Sequence, residues 1–256
     1  MPNDRFVRIR QLIGSRGLQK LHDSRVAVVG LGAVGSYASE ALARAGVGHL
    51  RLVDFDIVRH SNINRQLFAL ESTLGLSKAE TASRRVIDIN PACEVQPLQL
   101  FVDSESLEAV LGGTLNVLID AIDSVGPKIE LLTGAAARGT RVVSCMGAAL
   151  RTDPTQVQVG RLADVHHCPL ARRVRKELRK RGVSLDLCCI YSTEPVGELR
   201  KTAITFDRPE GEDCVQRGRK RSLLGSLPTL TGIIGLTAAN TVLKLLLGED
   251  FPGGGR

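Results

Sequence analysis

A glycine-rich turn is the first segment of the sequence whose residue types indicate chemistry. Gly30, Gly32 and Gly35 form the pattern G-x-G-x-x-G between an apolar run at 25–29 and an alanine-rich stretch at 36–45. Glycines allow a tight turn and a close approach of the backbone to a ligand, and the following helix start offers unpaired N–H groups to a phosphate. The segment predicts a nucleotide site without choosing between NAD, FAD and ATP.

Two carboxylates follow the next apolar segment, at 49–54. Asp54 ends this segment, where a carboxylate can accept hydrogen bonds from the ribose hydroxyls of a nucleotide. Asp56 comes shortly after it and is a second candidate for nucleotide contact. Strand, glycine turn, helix and second strand then form a βαβ unit.

Two cations after this unit indicate the kind of nucleotide chemistry. Arg65 lies in the segment 61–66 with Asn62 and Gln66, two further nucleotide-binding candidates, and Lys78 follows in a predicted helix. Hydride transfer needs no such cations, whereas adenylation must stabilise charge on the α-phosphate and the leaving pyrophosphate. Arg65 can hold phosphate oxygens through two N–H groups and Lys78 can act as a point charge, so both are candidate catalytic residues. Taken alone, each would be an ordinary surface cation.

A third polar group follows the apolar segment at 116–122. Asp123 and Ser124 stand where a parallel strand is predicted to end, and parallel sheets bind ligands at this edge. Asp123 is therefore a candidate ligand for a Mg²⁺ ion that bridges the phosphates of ATP, and Ser124 is a candidate nucleotide contact. The alternative is that Asp123 only caps the helix that follows.

These residues need a scaffold in which successive strands end at one edge. Apolar runs alternate with helical stretches, so we predict an α/β fold, Rossmann-like, with a mostly parallel sheet flanked by helices and an antiparallel C-terminal extension. The predicted strands are 25–29, 49–54, 95–101, 116–122, 141–145 and 156–160, the last of them an edge or antiparallel strand. The predicted helices are 36–45, 77–90, 127–138, 171–181 and 225–247, after one or two short helices within 5–22.

The motifs together resemble the adenylation core shared by ubiquitin-activating enzymes and bacterial sulfur-carrier adenylyltransferases, the ThiF/MoeB/HesA superfamily. This resemblance covers about residues 5–150. The segments 153–156 and 189–194 and the helix at 225–247 are similar to the tRNA threonylcarbamoyladenosine dehydratase branch, and they extend the likeness to nearly the whole chain. The resemblance implies a single adenylation domain, 1–256, with a nucleotide-binding core at about 23–150 and a substrate or dimer-contact extension at about 151–247.

The branch implies an ATP-dependent condensation within one substrate. A threonyl carboxylate attacks the α-phosphate and pyrophosphate leaves; a carbamoyl oxygen then closes an oxazolone ring and AMP leaves. The resemblance assigns to the nucleotide, its phosphates and Mg²⁺ the residues Gly32, Asp54, Asn62, Arg65, Lys78 and Asp123. Arg8 resembles an arginine that reaches across a dimer interface to the partner's ATP, so it is a further candidate catalytic residue and a homodimer is expected.

Two other functions stay open. One is adenylation of the C-terminal glycine of a ubiquitin-like sulfur carrier, although the two C-x-x-C zinc pairs typical of that branch are absent from the sequence. The other is a non-catalytic nucleotide-binding module that recruits a sulfur-transfer protein or an RNA. Cys188 and Cys189 are either buried hydrophobic residues or a reactive thiol, and ring closure needs no thiol. A metal at the triplet 166–168 is disfavoured because adjacent side chains point apart.

Composition favours a polyanionic partner. The net charge is +7, and basic residues concentrate at 171–181 and 217–221, which fits contact with tRNA phosphates; the alternative is a solvated helix face and loop. An aromatic content of 3% with no Trp disfavours a broad stacking platform for single-stranded RNA. The uncharged run 223–243 is long enough to span a membrane, but its Pro228 and several glycines favour a buried helix. The chain shows no apolar signal segment, so a cytoplasmic location is expected.

Overall fold

The computed structural model describes residues 5–196 and 224–251. The strands are β1 (Arg25–Val29), β2 (His49–Val53), β3 (Glu94–Leu98), β4 (Val117–Asp120), β5 (Val142–Cys145), β6 (Val157–Arg161) and β7 (Cys188–Ser192). The α-helices are α1 (Val7–His22), α2 (Gly35–Ala45), α3 (Lys78–Ile89), α4 (Leu107–Leu111), α5 (Val125–Ala137), α6 (Pro169–Lys180) and α7 (Pro228–Leu247).

All seven strands form one sheet in the order β3-β2-β1-β4-β5-β7-β6. Every neighbouring pair is parallel except β6 and β7, which are antiparallel. The predicted Rossmann-like, mostly parallel sheet with an antiparallel C-terminal end is therefore confirmed. Because β7 lies beside β5, the C-terminal part of the chain continues the sheet that begins with the N-terminal strands.

The helices cover both faces of the sheet. Apolar residues of α2, α3 and α7 pack against one face, and those of α5 and α6 pack against the other. The central strand β4 is buried along its whole length, and β1 is buried from its second residue onward. Strands buried on both faces read as continuous apolar runs, which is why the sequence identified these two.

Helix α7 is the long apolar helix of the C-terminal part. Its residues Leu230, Ile234, Ala238 and Val242 are buried, and it packs mainly against α2. The segment 228–250 is long and apolar enough to cross a membrane, and half of its most apolar window is buried in the protein. This packing is that of the core helix predicted from its sequence.

Several elements differ from the predictions. Strand β7 and the short helix α4 were not predicted, and α7 begins at Pro228 instead of residue 225. Helix α1 is interrupted at Gly14, whose φ of 72° is not helical, so the region 5–22 does contain two helical pieces.

Candidate active site

The glycine turn lies at the carboxyl ends of β1 and β4, which are neighbours in the sheet. Gly30 has a φ of +90°, and a Cβ there would stand 2.8 Å from the carbonyl oxygen of Ala121. A Cβ on Gly35 would stand 1.8 Å from the carbonyl oxygen of Gly30. Side chains are therefore excluded at both positions, and the turn passes close to the segment that follows β4.

Asp54 holds this turn to the end of β2. One carboxylate oxygen accepts from the N–H of Leu31 at 2.7 Å, and the other accepts from the N–H of Asp56 at 2.9 Å. Burial raises the pKa of Asp54, an effect that nearby Lys78 opposes. The carboxylate thus shapes the site through the backbone, and its predicted contact with ribose stays a prediction.

Lys78 is buried at the start of α3, and an ion pair with Asp56 fixes the position of its amino group. Its Nζ lies 3.0 Å from the carboxylate of Asp56, and its side chain is 8% exposed. Its backbone N–H donates to the carbonyl oxygen of Asp56 at 3.0 Å, and Arg59 lies 3.6 Å from the same carboxylate. Two cations therefore share the carboxylate of Asp56, and Asp54 adds a second carboxylate within electrostatic range of Lys78.

The segment 61–66 forms a compact turn around Asn62. The side-chain oxygen of buried Asn62 accepts from the N–H of Arg59 at 3.2 Å, and its carbonyl oxygen accepts from the N–H groups of Arg65 and Gln66. The amide nitrogen of Gln66 lies 3.7 Å from the position that a Cβ on Gly32 would take. Gln66 therefore stands over the glycine turn, as a nucleotide-binding residue there must.

Arg65 faces Asp123. Burial lowers the pKa of Arg65, and the charge of Asp123 acts in the opposite direction, so the two side chains are close enough to interact. The guanidinium of Arg65 also donates to the carbonyl oxygen of Ser61 and to the side chain of Asn64, both at 2.7 Å. Asp123 is exposed, and the N-cap position of α5 belongs to Ser124. The helix-capping alternative for Asp123 is thereby disfavoured.

Arg8 does not join these residues within one chain. It is exposed on α1, and Phe6, two positions earlier, packs 3.5 Å from where a Cβ on Gly46 would lie. Gly46 ends α2 at the sheet edge opposite the glycine turn. A contact of Arg8 with ATP can therefore be made only with a second subunit, as the sequence resemblance implies.

A buried ion pair beneath the site was missed by the sequence reasoning. Nζ of Lys128 lies 2.7 Å from the carboxylate of Asp120, and both side chains are 0% exposed. The hydroxyl of Ser144 donates to the same carboxylate at 2.6 Å. Lys128 also donates to the carbonyl oxygens of Ile122 and Cys145, so it joins the ends of β4 and β5 and fixes the residues that lead to Asp123.

Arg151 is a second buried cation that the sequence reasoning missed. It is 2% exposed and donates to the carbonyl oxygens of Ser192 and Glu194 at 2.7 and 2.8 Å, and to that of His167 at 3.2 Å. Its neighbour Leu150 has a φ of 61° and His167 a φ of 54°, left-handed values that are uncommon for residues other than glycine. Arg151 thus ties together three segments beyond the ends of β5 and β7.

Burial disfavours the reactive thiolate form of Cys188 and Cys189. Cys189 is buried and Cys188 half-buried, and burial raises the pKa of both thiols. Burial likewise raises the pKa of Cys145 to about 12. The interpretation of Cys188 and Cys189 as buried hydrophobic residues is favoured; Cys214 lies outside the described residues.

A metal site made of protein ligands alone is not found. Within residues 5–196 and 224–251, no three His, Cys, Asp or Glu side chains are grouped to hold a metal ion. Cys168 instead caps α6, its sulfur accepting from the N–H of Ala171 at 3.4 Å. Asp123 and the adjacent Ser124 fit a Mg²⁺ ion that arrives with ATP, because Mg²⁺ commonly binds one or two carboxylates plus phosphates and water.

Comparison with known proteins agrees with this geometry. The chain is 44% identical over 189 residues to the tRNA threonylcarbamoyladenosine dehydratase of Bacillus subtilis, covering 74% of each chain. It is 35% identical to the enzyme of that name from Escherichia coli over 96% of this chain and 94% of the relative. The structure of the Escherichia coli enzyme in complex with ATP matches with a TM-score of 0.83 at 32% identity, over 98% of this chain and 96% of that one.

A more distant relative shares only part of the chain. The molybdopterin-synthase adenylyltransferase of Escherichia coli is 39% identical over 54% of each chain. The sequence pattern that defines the ThiF family matches residues 5–254, almost the whole length. This chain therefore belongs to the ThiF family.

Proposed function

We propose that this protein is an ATP-dependent dehydratase that cyclises threonylcarbamoyladenosine in tRNA through an acyl-adenylate. The observation that carries the proposal is the extent of the likeness: the two dehydratases match over 74% and 96% of the chain, and the adenylyltransferase matches over 54%. The carboxyl edge of the sheet that carries the glycine turn, Lys78, Arg65 and Asp123, here called the nucleotide edge, suits any adenylating enzyme. The remaining residues therefore point to the dehydratase.

The first step needs positive charge near the α-phosphate. The threonyl carboxylate of the substrate attacks the α-phosphorus, the bond to the pyrophosphate oxygen breaks, and an acyl-adenylate forms. Lys78 and Arg65 would stabilise the charge that grows on the phosphate oxygens, and both are partly withdrawn from water, where such interactions are strong. Gly32 and Gln66 would hold the phosphates over the start of α2, with Asn62 keeping the turn of Arg65 in place.

A Mg²⁺ ion bound with ATP would be held by Asp123 and would neutralise phosphate charge. Asp123 is within electrostatic range of Arg65, so we expect the metal and the guanidinium to act on the same phosphate oxygens. The buried pair of Lys128 and Asp120 would keep this end of β4 rigid.

The second step is an intramolecular closure. The carbamoyl oxygen attacks the activated carbonyl carbon, the ring forms, and AMP leaves with one oxygen of the original carboxylate. Both reacting groups belong to one substrate, so closure loses little further translational freedom. The protein has only to hold the nucleoside in the reactive conformation, and Arg151 would serve this by fixing the loops beside the nucleotide edge.

The proposal is tested by incubating the protein with ATP and tRNA that carries the linear nucleoside. Mass spectrometry of the digested tRNA should show loss of one water from that nucleoside, with AMP and pyrophosphate released in equal amounts. A protein that adenylates a ubiquitin-like sulfur carrier and leaves tRNA unchanged would select the adenylyltransferase function instead. Binding of ATP without turnover would select the non-catalytic module.

A matched pair of variants connects the activity to the site. Lys78→Ala should lower the rate by about 100-fold or more, because a buried cation aimed at the phosphates is removed. Arg84→Ala removes an exposed cation from the same helix and should leave the rate within about 2-fold, since exposed charges away from the site contribute little.

We also propose that the enzyme works as a homodimer in the cytoplasm. The support for the dimer is that Arg8 cannot reach the nucleotide edge of its own chain. The support for the location is that the described cysteines are free thiols, as expected in a reducing compartment. A sulfur-transfer protein would be an accessory partner of such a dimer.

A further inference from the structure

Helix α6 and the residue after it carry seven cations, and the structure divides them into two groups. Half-buried Arg175 donates to the carbonyl oxygens of Leu162 and Val165, at 3.1 and 2.6 Å. Arg181 forms an ion pair with Glu130. Lys180 likewise forms an ion pair with Glu177 at 2.9 Å. These three cations stabilise the fold and are already partnered.

The other four cations form an exposed face, here called the α6 cationic face. In the part of the chain that the structure describes, none of them forms an ion pair with a carboxylate. Its members are Arg172, Arg173, Lys176 and Arg179. The basic stretch at 217–221, the other predicted RNA contact, lies outside the described residues.

The α6 cationic face is unfavourable for the isolated helix. Lys176 has a like charge three or four positions away at Arg172, Arg173 and Arg179, and such pairs destabilise a helix. The first turn contains no acidic residue, although the helix dipole favours negative charge there. A polyanion lying along the helix would relieve both effects.

The position of α6 connects this face to the nucleotide edge. A Cβ on Gly147, just beyond β5, would stand 3.6 Å from the sulfur of Cys168 and 3.7 Å from Cβ of Leu170. The first turn of α6 therefore lies at the carboxyl edge of the sheet, where ATP is proposed to bind. Arg179 follows Arg172 by seven positions, a rise of about 10 Å along the helix. The row of cations therefore extends from the nucleotide edge along α6.

We infer that the α6 cationic face binds the phosphate backbone of the tRNA substrate, an inference that rests on the proposed function. An RNA stem is a continuous row of phosphates, which suits a row of cations without carboxylate partners. A membrane surface fits less well, since none of the exposed large apolar residues in the described chain lies on α6.

The test compares two charge reversals that change the net charge equally. Arg172→Glu should weaken binding of unmodified tRNA, measured by filter binding, by about 10-fold. The slope of log affinity against log salt should become shallower by roughly 0.7 to 0.9 for each phosphate that the variant no longer neutralises. Arg84→Glu, on α3 near the other end of the sheet, should change affinity by less than about 2-fold. Equal affinities for the two variants would overturn the inference.

Two further measurements separate this surface from folding and from the reaction itself. Arg172→Glu removes like-charge repulsion at the start of α6, so its melting temperature should not fall below that of the native protein. Turnover of a short oligonucleotide carrying the linear nucleoside should be unchanged, while KM for tRNA rises. If the native protein dehydrates neither substrate, the proposed function fails; if kcat on the oligonucleotide falls in Arg172→Glu, the docking role fails.

Discussion

The two cations of the site, Lys78 and Arg65, are held in place by different contacts. Lys78 is buried against Asp56, and Arg65 is held by two hydrogen bonds while it faces Asp123. A cation that is already desolvated and fixed interacts strongly with a phosphate and needs little reorganisation on binding. If these side chains bind a triphosphate as proposed, they are in place before the ligand arrives.

Arg151 provides a prediction about stability. Arg151→Met should lower the free energy of unfolding by about 3 kcal/mol, because one buried and two partly buried carbonyl oxygens lose their charged donor. Arg151→Lys keeps the charge and should lose less. Urea denaturation of the three proteins measures the difference, and a Met variant within about 0.5 kcal/mol of native would show that these hydrogen bonds do not hold the loops.

The sequence could identify some of these residues and not others. Lys78, Arg65 and Asp123 follow predicted strands at spacings that indicate a common edge, and in the structure Arg65 is within electrostatic range of Asp123. Lys128 and Arg151 give no such signal, since each is a single cation in an ordinary helix or loop. Their burial depends on carbonyl groups that only the folded chain brings near them.

At the scale of elements, the glycine turn depends on how α7 packs against α2. Gly235 of α7 lies so close to this helix that a Cβ would stand 2.4 Å from the carbonyl oxygen of Val34 and 2.9 Å from Cβ of Tyr37. Val34 lies within the turn that would hold the phosphates. Helix α7 therefore packs directly against the glycine turn and the first turn of α2.

Gly235→Ala tests this support. The extra methyl group should lower the free energy of unfolding by about 2 kcal/mol through overpacking, and it should weaken ATP binding because the glycine turn shifts. Gly126→Ala is a matched control in α5, where a Cβ would meet nothing within 4 Å, and it should be neutral or stabilise by about 0.5 kcal/mol. Equal melting temperatures for the two variants would contradict the packing argument.

An element could be predicted when the residues that indicate it lie within one short stretch of sequence. β1 and β4 are buried apolar runs, and α2 begins at a glycine turn. β7 was missed because its place in the sheet, between β5 and β6, depends on pairing with strands distant in the sequence. The sequence therefore indicated the elements of the N-terminal part more completely than those of the C-terminal part.

For the whole molecule, the proposed homodimer makes a prediction about Arg8. Arg8 follows Phe6, which packs near Gly46 at the sheet edge opposite the glycine turn, so the proposal assigns Arg8 to the ATP of the partner subunit. Mixing inactive Arg8→Ala and Lys78→Ala proteins under conditions of subunit exchange should restore about a quarter of the native activity, because half the dimers then contain one intact site. No recovery in exchanged dimers would show that Arg8 does not act across the interface.

In the proposed reaction the substrate carboxylate attacks the α-phosphorus of ATP at the edge formed by Lys78, Arg65 and Asp123. A tRNA whose threonyl carboxylate carries oxygen-18 reveals whether this attack occurs. A single turnover should place one labelled oxygen on AMP and none on pyrophosphate, because the acyl–oxygen bond breaks when the ring closes. Label in inorganic phosphate, or cyclised product accompanied by unlabelled AMP, would contradict the account.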